Sequence, residues 1–252
     1  MLVSVCLATY NGEKYIKEQI ESILKQLQPD DELVITDDAS IDNTAEIIRC
    51  VQDDRIVFIQ NSNRLGVIKN FEKALKVAQG EYIFLSDQDD VWLDDKLQTF
   101  LRYLQKSDII VSDAIIVNAE LEVLHASFFR QKGVRKGLLR NFYKNNYMGC
   151  NMAFHRKVLS IALPFPDDIP MHDIWLGIIG EMFFTTRFIP EKLNLYRRHS
   201  YNVSQAGSTS PFSLAQKIKF RLNLLKYFPL LFARKYFGQK QRPVPRPAEK
   251  IH

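Results

Sequence analysis

Glu81–Leu97, EYIFLSDQDDVWLDDKL, is the stretch on which the reading of this chain turns. An apolar run, Tyr82 to Leu85, stops at Ser86, and carboxylates follow at Asp87, Asp89 and Asp90. A short buried strand of this kind delivers hard oxygen ligands to a sheet edge. Like charges so close together repel, and a divalent cation shared with the phosphates of a substrate is the usual relief. The plainer alternative is a solvated acidic loop or a helix N-terminus, because Asp is favoured there and Trp92–Leu101 reads as helix. The sequence on either side bears on the choice.

Upstream, Leu2–Ala8 is an apolar, β-prone run ending at Thr9-Tyr10-Asn11-Gly12, and an amphipathic pattern follows from Glu13 to Leu27. Glu32–Thr36 is a second strand ending in Asp37-Asp38, and Asp42-Asn43-Thr44 caps a helix running to about Gln52. Arg55–Gln60 reads as a third strand, Asn61–Gly66 as a polar turn, and Val67–Ala78 as a helix with Gly80 as its C-cap. Strand–turn–helix steps repeated in this way imply a parallel α/β sheet whose strand C-terminal ends form one crevice, where ligands of such sheets bind. Tyr10, Asp38 and the Asp87–Asp90 cluster all fall on that edge. Their convergence favours a site over a chance acidic loop.

The chain has 252 residues, 46% of them apolar, enough for a substantial core. Its opening does not resemble a signal peptide and no apolar run of about 18 residues marks a membrane span, so a cytosolic protein is expected. Three widely spaced cysteines, Cys6, Cys50 and Cys150, fit reduced thiols. Charge is unevenly placed. Residues 192–252 carry 13 Lys or Arg against one acid, so with a whole-chain charge of +5 the first 191 residues are net −7. An acidic body carries a basic tail.

LATYNGEKYI, ELVITDDASIDNT, GEYIFLSDQDDVWLDDKL, MGCNMAFHR and MHDIWL, in this order and spacing, resemble a family 2 glycosyltransferase with the GT-A fold, and in particular the bacterial branch that adds rhamnose or related sugars to surface polysaccharides. The resemblance covers roughly residues 2–205. It implies that Tyr10 stacks near the nucleotide base, Asp38 binds the base edge, Asp87 contacts the ribose and Asp89 is the main ligand of a Mn2+ or Mg2+ ion bridging to the diphosphate. Asp37 and Asp90 flank these, Asp90 toward the sugar. Arg64 and Lys69 are candidates for a basic residue reaching the nucleotide, with Lys69 taken as the nucleotide ligand and an ordinary surface charge as the alternative.

Downstream, Asp108–Ser112 and Ile115–Val117 read as strand, and His125–Asn146, basic, aromatic and poorly periodic, as a mobile excursion near the acceptor or a plain surface loop. Tyr147–His155 resembles the family's glycine-containing strand, which puts Gly149 and Asn151 against donor sugar or acceptor; a tight core strand is the alternative. Met171-His172-Asp173 opens an apolar helix. A carboxylate there is commonly a cap, but the family holds its general base at this position, which implies Asp173, with His172 standing where the family commonly has Glu and assigned with the sugar contacts. In Ile189–Val203 the resemblance implies a loop over the diphosphate, with His199 near the metal and Arg197 or Arg198 on phosphate; a basic surface turn is the alternative.

After a Gly207–Ser210 linker, Pro211–Phe237 interleaves Lys217, Lys219, Arg221, Lys226, Arg234 and Lys235 with apolar residues. This reads as an amphipathic segment on an anionic membrane surface, or as a helix packed on the body with a solvated basic face. Gln239–His252 is proline-rich, basic and expected to be disordered. The combined expectation is an α/β protein of GT-A fold, with a Rossmann-like, mostly parallel central sheet in residues 1–205 and a basic amphipathic C-terminal extension in 206–252. It is expected to be an inverting, metal-dependent hexosyltransferase moving a sugar from a UDP- or dTDP-sugar to a lipid-linked glycan acceptor, peripheral on the inner face of the plasma membrane. A nucleotidyltransferase is the rival enzyme reading, disfavoured because ATYNGEKY carries one glycine where such enzymes have a glycine-rich phosphate loop. A nucleic-acid-binding protein is disfavoured by the acidic body, which would repel phosphates. A paralogue that only scaffolds is opposed by intact Asp89 and Asp173.

Overall fold

The computed structural model describes residues 2–143, 145–199 and 213–238. The Gly207–Ser210 linker, the 205/206 boundary and the proline-rich end fall outside the described residues. Strands β1 (Val3–Thr9), β2 (Glu32–Asp37), β3 (Ile56–Gln60) and β4 (Tyr82–Asp87) pair in parallel in the order β3-β2-β1-β4. Every residue of β1 and β2 is buried, as expected of strands covered on both faces. Their covers are the connecting helices α1 (Ile16–Leu24), α2 (Thr44–Arg49) and α3 (Val67–Val77). Helix α1 turns Ile16, Ile20 and Ile23 inward at one helical face, and α3 does the same with Phe71, Ala74 and Leu75. Register then sets the site: Thr9 lies opposite Asp37 and Ala8 opposite Asp87, so the loops after β1, β2 and β4 leave the sheet at one level.

Beyond β4 the sheet becomes mixed, which the sequence did not announce. The remaining strands are β5 (Val91–Trp92), β6 (Ile109–Val117), β7 (Val123–His125), β8 (Met152–His155) and β9 (Thr186–Arg197). Strand β8 runs antiparallel between β4 and β6, while β9 is parallel to β6 and antiparallel to β5.

Several local expectations are corrected. Trp92 starts no helix: it pairs in β5 with Asn194, and the helix, α4, begins at Lys96 and ends at Leu104. The excursion after His125 contains two short helices, α5 (Phe128–Lys132), capped by the Ser127 side chain, and α6 (Leu138–Tyr143). Gly149–Asn151 is a 3-10 turn, not strand; β8 starts only at Met152. Gly80 does not cap α3, whose last residue is Val77; a Cβ at Gly80 would lie 2.6 Å from Ser4 Oγ, so its small size serves contact with β1.

Helices α7 (Leu159–Ala162) and α8 (His172–Phe183) close the second half of the body, and α9 (Leu214–Lys226) and α10 (Phe228–Phe237) pack on it through Leu224 and Leu231. The C-terminal segment is therefore docked on the body, with a basic outer face that also exposes Ile218, Leu222, Leu225 and Phe232. Among the described residues no helix is long and apolar enough to cross a membrane.

Candidate active site

At the edge shared by β1, β2 and β4, one side chain ties two loops together. Gln88 accepts from Thr9 Oγ1 at 2.6 Å and Tyr10 N at 2.7 Å and donates to Tyr10 O at 3.1 Å. Asp38 is buried and gathers the loop after β3, accepting from Leu65 N at 2.7 Å, Gly66 N at 2.8 Å and Asn61 Nδ2 at 3.2 Å. That loop carries Arg64 back over Tyr10, with the guanidinium 3.9 Å from the ring centre. Lys69 points elsewhere: its ammonium pairs with Asp167 at 2.8 Å and Glu72 at 3.0 Å. Of the two basic candidates, Arg64 stands at the Tyr10 edge.

The acidic cluster divides into two jobs. Asp90, expected toward the sugar, is fully buried and accepts from Asn194 Nδ2 at 2.8 Å and Arg197 N at 3.1 Å. Burial first, then the Asp89 charge, pushes its carboxyl up to about 7. Asp87 is also held well above the carboxylate range, by burial and by the charges of Asp90, Asp89 and Asp173. Asp89 meets His199 Nε2 at 2.9 Å, and the His199 ring stacks on Tyr15 at 4.9 Å between centroids. Ligand atoms of Asp87, Asp90 and Cys150 all lie within 4.8 Å of one another.

From the other half of the molecule, α8 presents Asp173 to the same crevice. Its Oδ1 accepts from Ile174 N at 2.6 Å and from Asn145 Nδ2 at 3.4 Å, and burial raises its carboxyl to about 6. The turn at Gly149–Asn151 links the two segments: Cys150 Sγ lies within 4.8 Å of ligand atoms of Asp87 and Asp90, and a Cβ on Gly149 would lie 2.7 Å from Nε2 of His172, the neighbour of Asp173. Beside it, His172 is buried against Phe71, ring centres 4.1 Å apart, and burial pushes its imidazole down to about 3, so it is neutral. Among the described residues neither ring nitrogen of His172 has a partner, nor does Asn151 Oδ1, and Asn151 Nδ2 donates to Met148 Sδ at 3.1 Å. Gly149 permits this packing, since a Cβ there would lie 2.7 Å from His172 Nε2. Gly149→Ala is expected to force the imidazole aside and cost about 1–3 kcal/mol, read as a lowered midpoint in thermal unfolding; an unchanged midpoint would show that the turn yields freely.

Sequence reasoning missed several residues of this site. Lys96 resembles any helical surface lysine, yet it is buried, donates to Cys150 O at 2.9 Å and is held down to about 8 by burial. Arg197, expected on phosphate, is instead 3% exposed and internal: it donates to Asp89 O and Ala119 O, each at 2.7 Å, pairs with Glu18 and covers the Tyr15 ring. Arg198 bonds through its backbone to Val117 O at 2.8 Å. Gln88 and Asn145 carried no signal beyond lying next to an acid or in a loop.

A parallel half-sheet with carboxylates at its strand ends, facing a helix-borne carboxylate across the crevice, defines a nucleotide-sugar-dependent glycosyltransferase of GT-A fold. The glycosyl transferase family 2 model matches residues 4–161, and the chain belongs to that family. It is 36% identical over 184 residues to the Escherichia coli UDP-Glc:alpha-D-GlcNAc-diphosphoundecaprenol beta-1,3-glucosyltransferase WfgD, covering 71% of this chain and 70% of that one. Its fold is similar to that of S. aureus TarS in complex with UDP-GlcNAc (TM-score 0.67, 20% identity, 91% of this chain and 73% of that chain). It is similar too to the mannosyltransferase PcManGT from Pyrobaculum calidifontis in complex with GDP-Man and Mn2+ (TM-score 0.61, 19% identity, 93% and 69%).

Proposed function

We propose that this enzyme transfers a sugar with inversion from a UDP- or dTDP-linked donor, with dTDP-rhamnose among the candidates, to a hydroxyl of a lipid-linked glycan acceptor during surface polysaccharide synthesis. The observation that carries the reading is the convergence of the loop after β4 and the start of α8 on the Gly149–Asn151 turn, with Cys150 Sγ within 4.8 Å of ligand atoms of Asp87 and Asp90 and Gly149 against His172, next to Asp173. A single carboxylate base facing the leaving group from the other side is the requirement for one displacement with inversion. Asp173 is that base, and takes the acceptor hydroxyl proton on its carboxylate. Tyr10, Arg64 and Asp38 hold the base of the nucleotide and Asp87 the ribose. Gly149 and Asn151, with His172 behind them, line the sugar.

The donor set fits a divalent cation, because carboxylates held this close raise one another toward protonation and oxygen ligands suit Mn2+ and Mg2+ alike. Asp89 would hold it, with Asp87 and His199 beside it. Such an ion supplies neutralisation of the departing diphosphate. The lipid-linked acceptor is supported by the relative's printed substrate, and a location on the inner membrane face by the basic, partly apolar outer face of α9 and α10.

A thermal-unfolding screen of UDP, dTDP, GDP and CDP, each with and without Mn2+, tests the reading. One pyrimidine diphosphate is expected to stabilise the protein only when the metal is present. Stabilisation by none of the four would sink it.

A further inference from the structure

The segment leading into Asp173 is held from outside by the C-terminal helices. The Asp168 carboxylate takes Lys226 Nζ and Tyr227 Oη, and its carbonyl takes Asn223 Nδ2 at 3.1 Å. Arg234, on α10, donates to the carbonyls of Ile161 at 3.0 Å, Ala162 at 3.3 Å and Pro164 at 2.9 Å. Between these ends, the Tyr227 ring meets Trp175 edge-on with centroids 6.0 Å apart, and Trp175 Nε1 donates to Ala162 O at 3.0 Å. Trp175 is fully buried in α8, half a turn beyond Asp173.

The opposite face of the same helices has another character. Ile218, Leu222 and Leu225 form one stripe at helical spacing, continued by Tyr236 and Phe237, and all five are between 44% and 87% exposed, while Phe232 turns toward Phe183 of α8. No Asp or Glu occurs from 213 to 238, and Lys219 is exposed beside the stripe. An apolar stripe edged by positive charge and free of carboxylates complements an anionic lipid surface.

We infer that α9 and α10 are a brace with two working faces, the outer one seated on an anionic lipid surface and the inner one setting Asp173 through Asp168, Tyr227 and Trp175. Contact with the lipid surface is thereby coupled to placement of the base. The inference rests on the reading of Asp173 as base. The brace grips both ends of the 161–175 segment, so a shift of the helix pair cannot leave the start of α8 in place. Asp168 and Tyr227 are positioning residues, since neither touches a reacting atom.

The chain has two tryptophans, so Trp92→Phe leaves Trp175 as the sole reporter. Phosphatidylglycerol vesicles are expected to co-sediment this protein and shift Trp175 emission, whereas phosphatidylcholine vesicles do neither. Adding Ile218→Glu and Leu222→Glu is expected to abolish both effects. Tyr227→Phe, which removes only the hydroxyl, is expected to retain co-sedimentation and lose most of the emission shift; Asp168→Asn should behave alike. Co-sedimentation with unaltered Trp175 emission would overturn the coupling, and failure to co-sediment would overturn the outer face. Nucleotide-dependent thermal stabilisation, measured on the same protein, reports on the transferase reading separately, because it requires neither vesicles nor the brace.

Discussion

Asp173→Asn is expected to lower the transfer rate about 10²–10⁴-fold, the range that a positioned general base contributes, while leaving nucleotide-dependent thermal stabilisation intact. The amide keeps the shape of the side chain and its acceptor oxygen for Ile174 N and Asn145, but cannot take a proton. Burial has raised the Asp173 carboxyl from 3.8 to about 6. Because the base acts as the carboxylate, wild-type rate should rise with pH and level off above about 6, and the residual rate of the variant should lack that limb. Stability carries the opposite sign. A carboxyl whose folded pKa is raised stabilises the fold when protonated, and that contribution is lost as pH rises from about 4 through about 6. Above pH 6 the variant should therefore unfold at a higher temperature than wild type, the usual sign that a functional group is held against its own preference. A variant that retains full rate would remove Asp173 from the chemistry.

Asp89→Ala is expected to erase the metal-dependent part of nucleotide stabilisation. With nucleotide at about one hundred times its dissociation constant that part is worth about 2.7 kcal/mol. For a chain of this size the corresponding shift in unfolding midpoint is about 5–10 °C. The adjacent carboxylate should answer differently. Asp90 is fully buried and takes Asn194 and Arg197 as partners, so Asp90→Ala should depress the midpoint of the protein alone, by stranding those donors. If Asp89→Ala kept the metal-dependent shift, the ion would belong instead with Asp87, Asp90 and Cys150, whose ligand atoms also converge.

The donor side of this protein was legible because each of its strands announces itself. Apolar runs at Leu2–Ala8, Glu32–Thr36 and Tyr82–Leu85 end abruptly in polar residues, and a parallel sheet leaves no other edge for those ends to share. Asp173 was legible only through the family pattern, since an acid opening a helix has an ordinary role as cap. What stayed hidden depends on distant pairing. Val91 and Trp92 form a strand of two residues because β9 arrives about a hundred positions later. Helices α5 and α6 are too short for a 3.6-residue period to show. Arg197 and Lys96 carry charges that place them on a surface by composition, and only the fold supplies the carbonyls and carboxylates that let them lie inside. Between Arg64 and Lys69 the sequence reading takes Lys69; in the fold Lys69 is drawn into ion pairs with Asp167 and Glu72, and Arg64 is the one that lies over Tyr10.

The seam between β4 and β8 is narrow: Tyr82, Ile83 and Phe84 face His155, Phe154 and Ala153, and no further pair joins the two strands. The loops after β1 and β2 leave the sheet on one side of it, but the loop after β4 crosses it, since Asp90 takes Asn194 and Arg197 of β9, and Phe71 of α3 packs on His172 of α8. In mechanical terms the seam is a narrow waist spanned by more than its ladder. Force passed between the Asp38 edge and the start of α8 is therefore carried by those side chains as well as by the three-pair ladder.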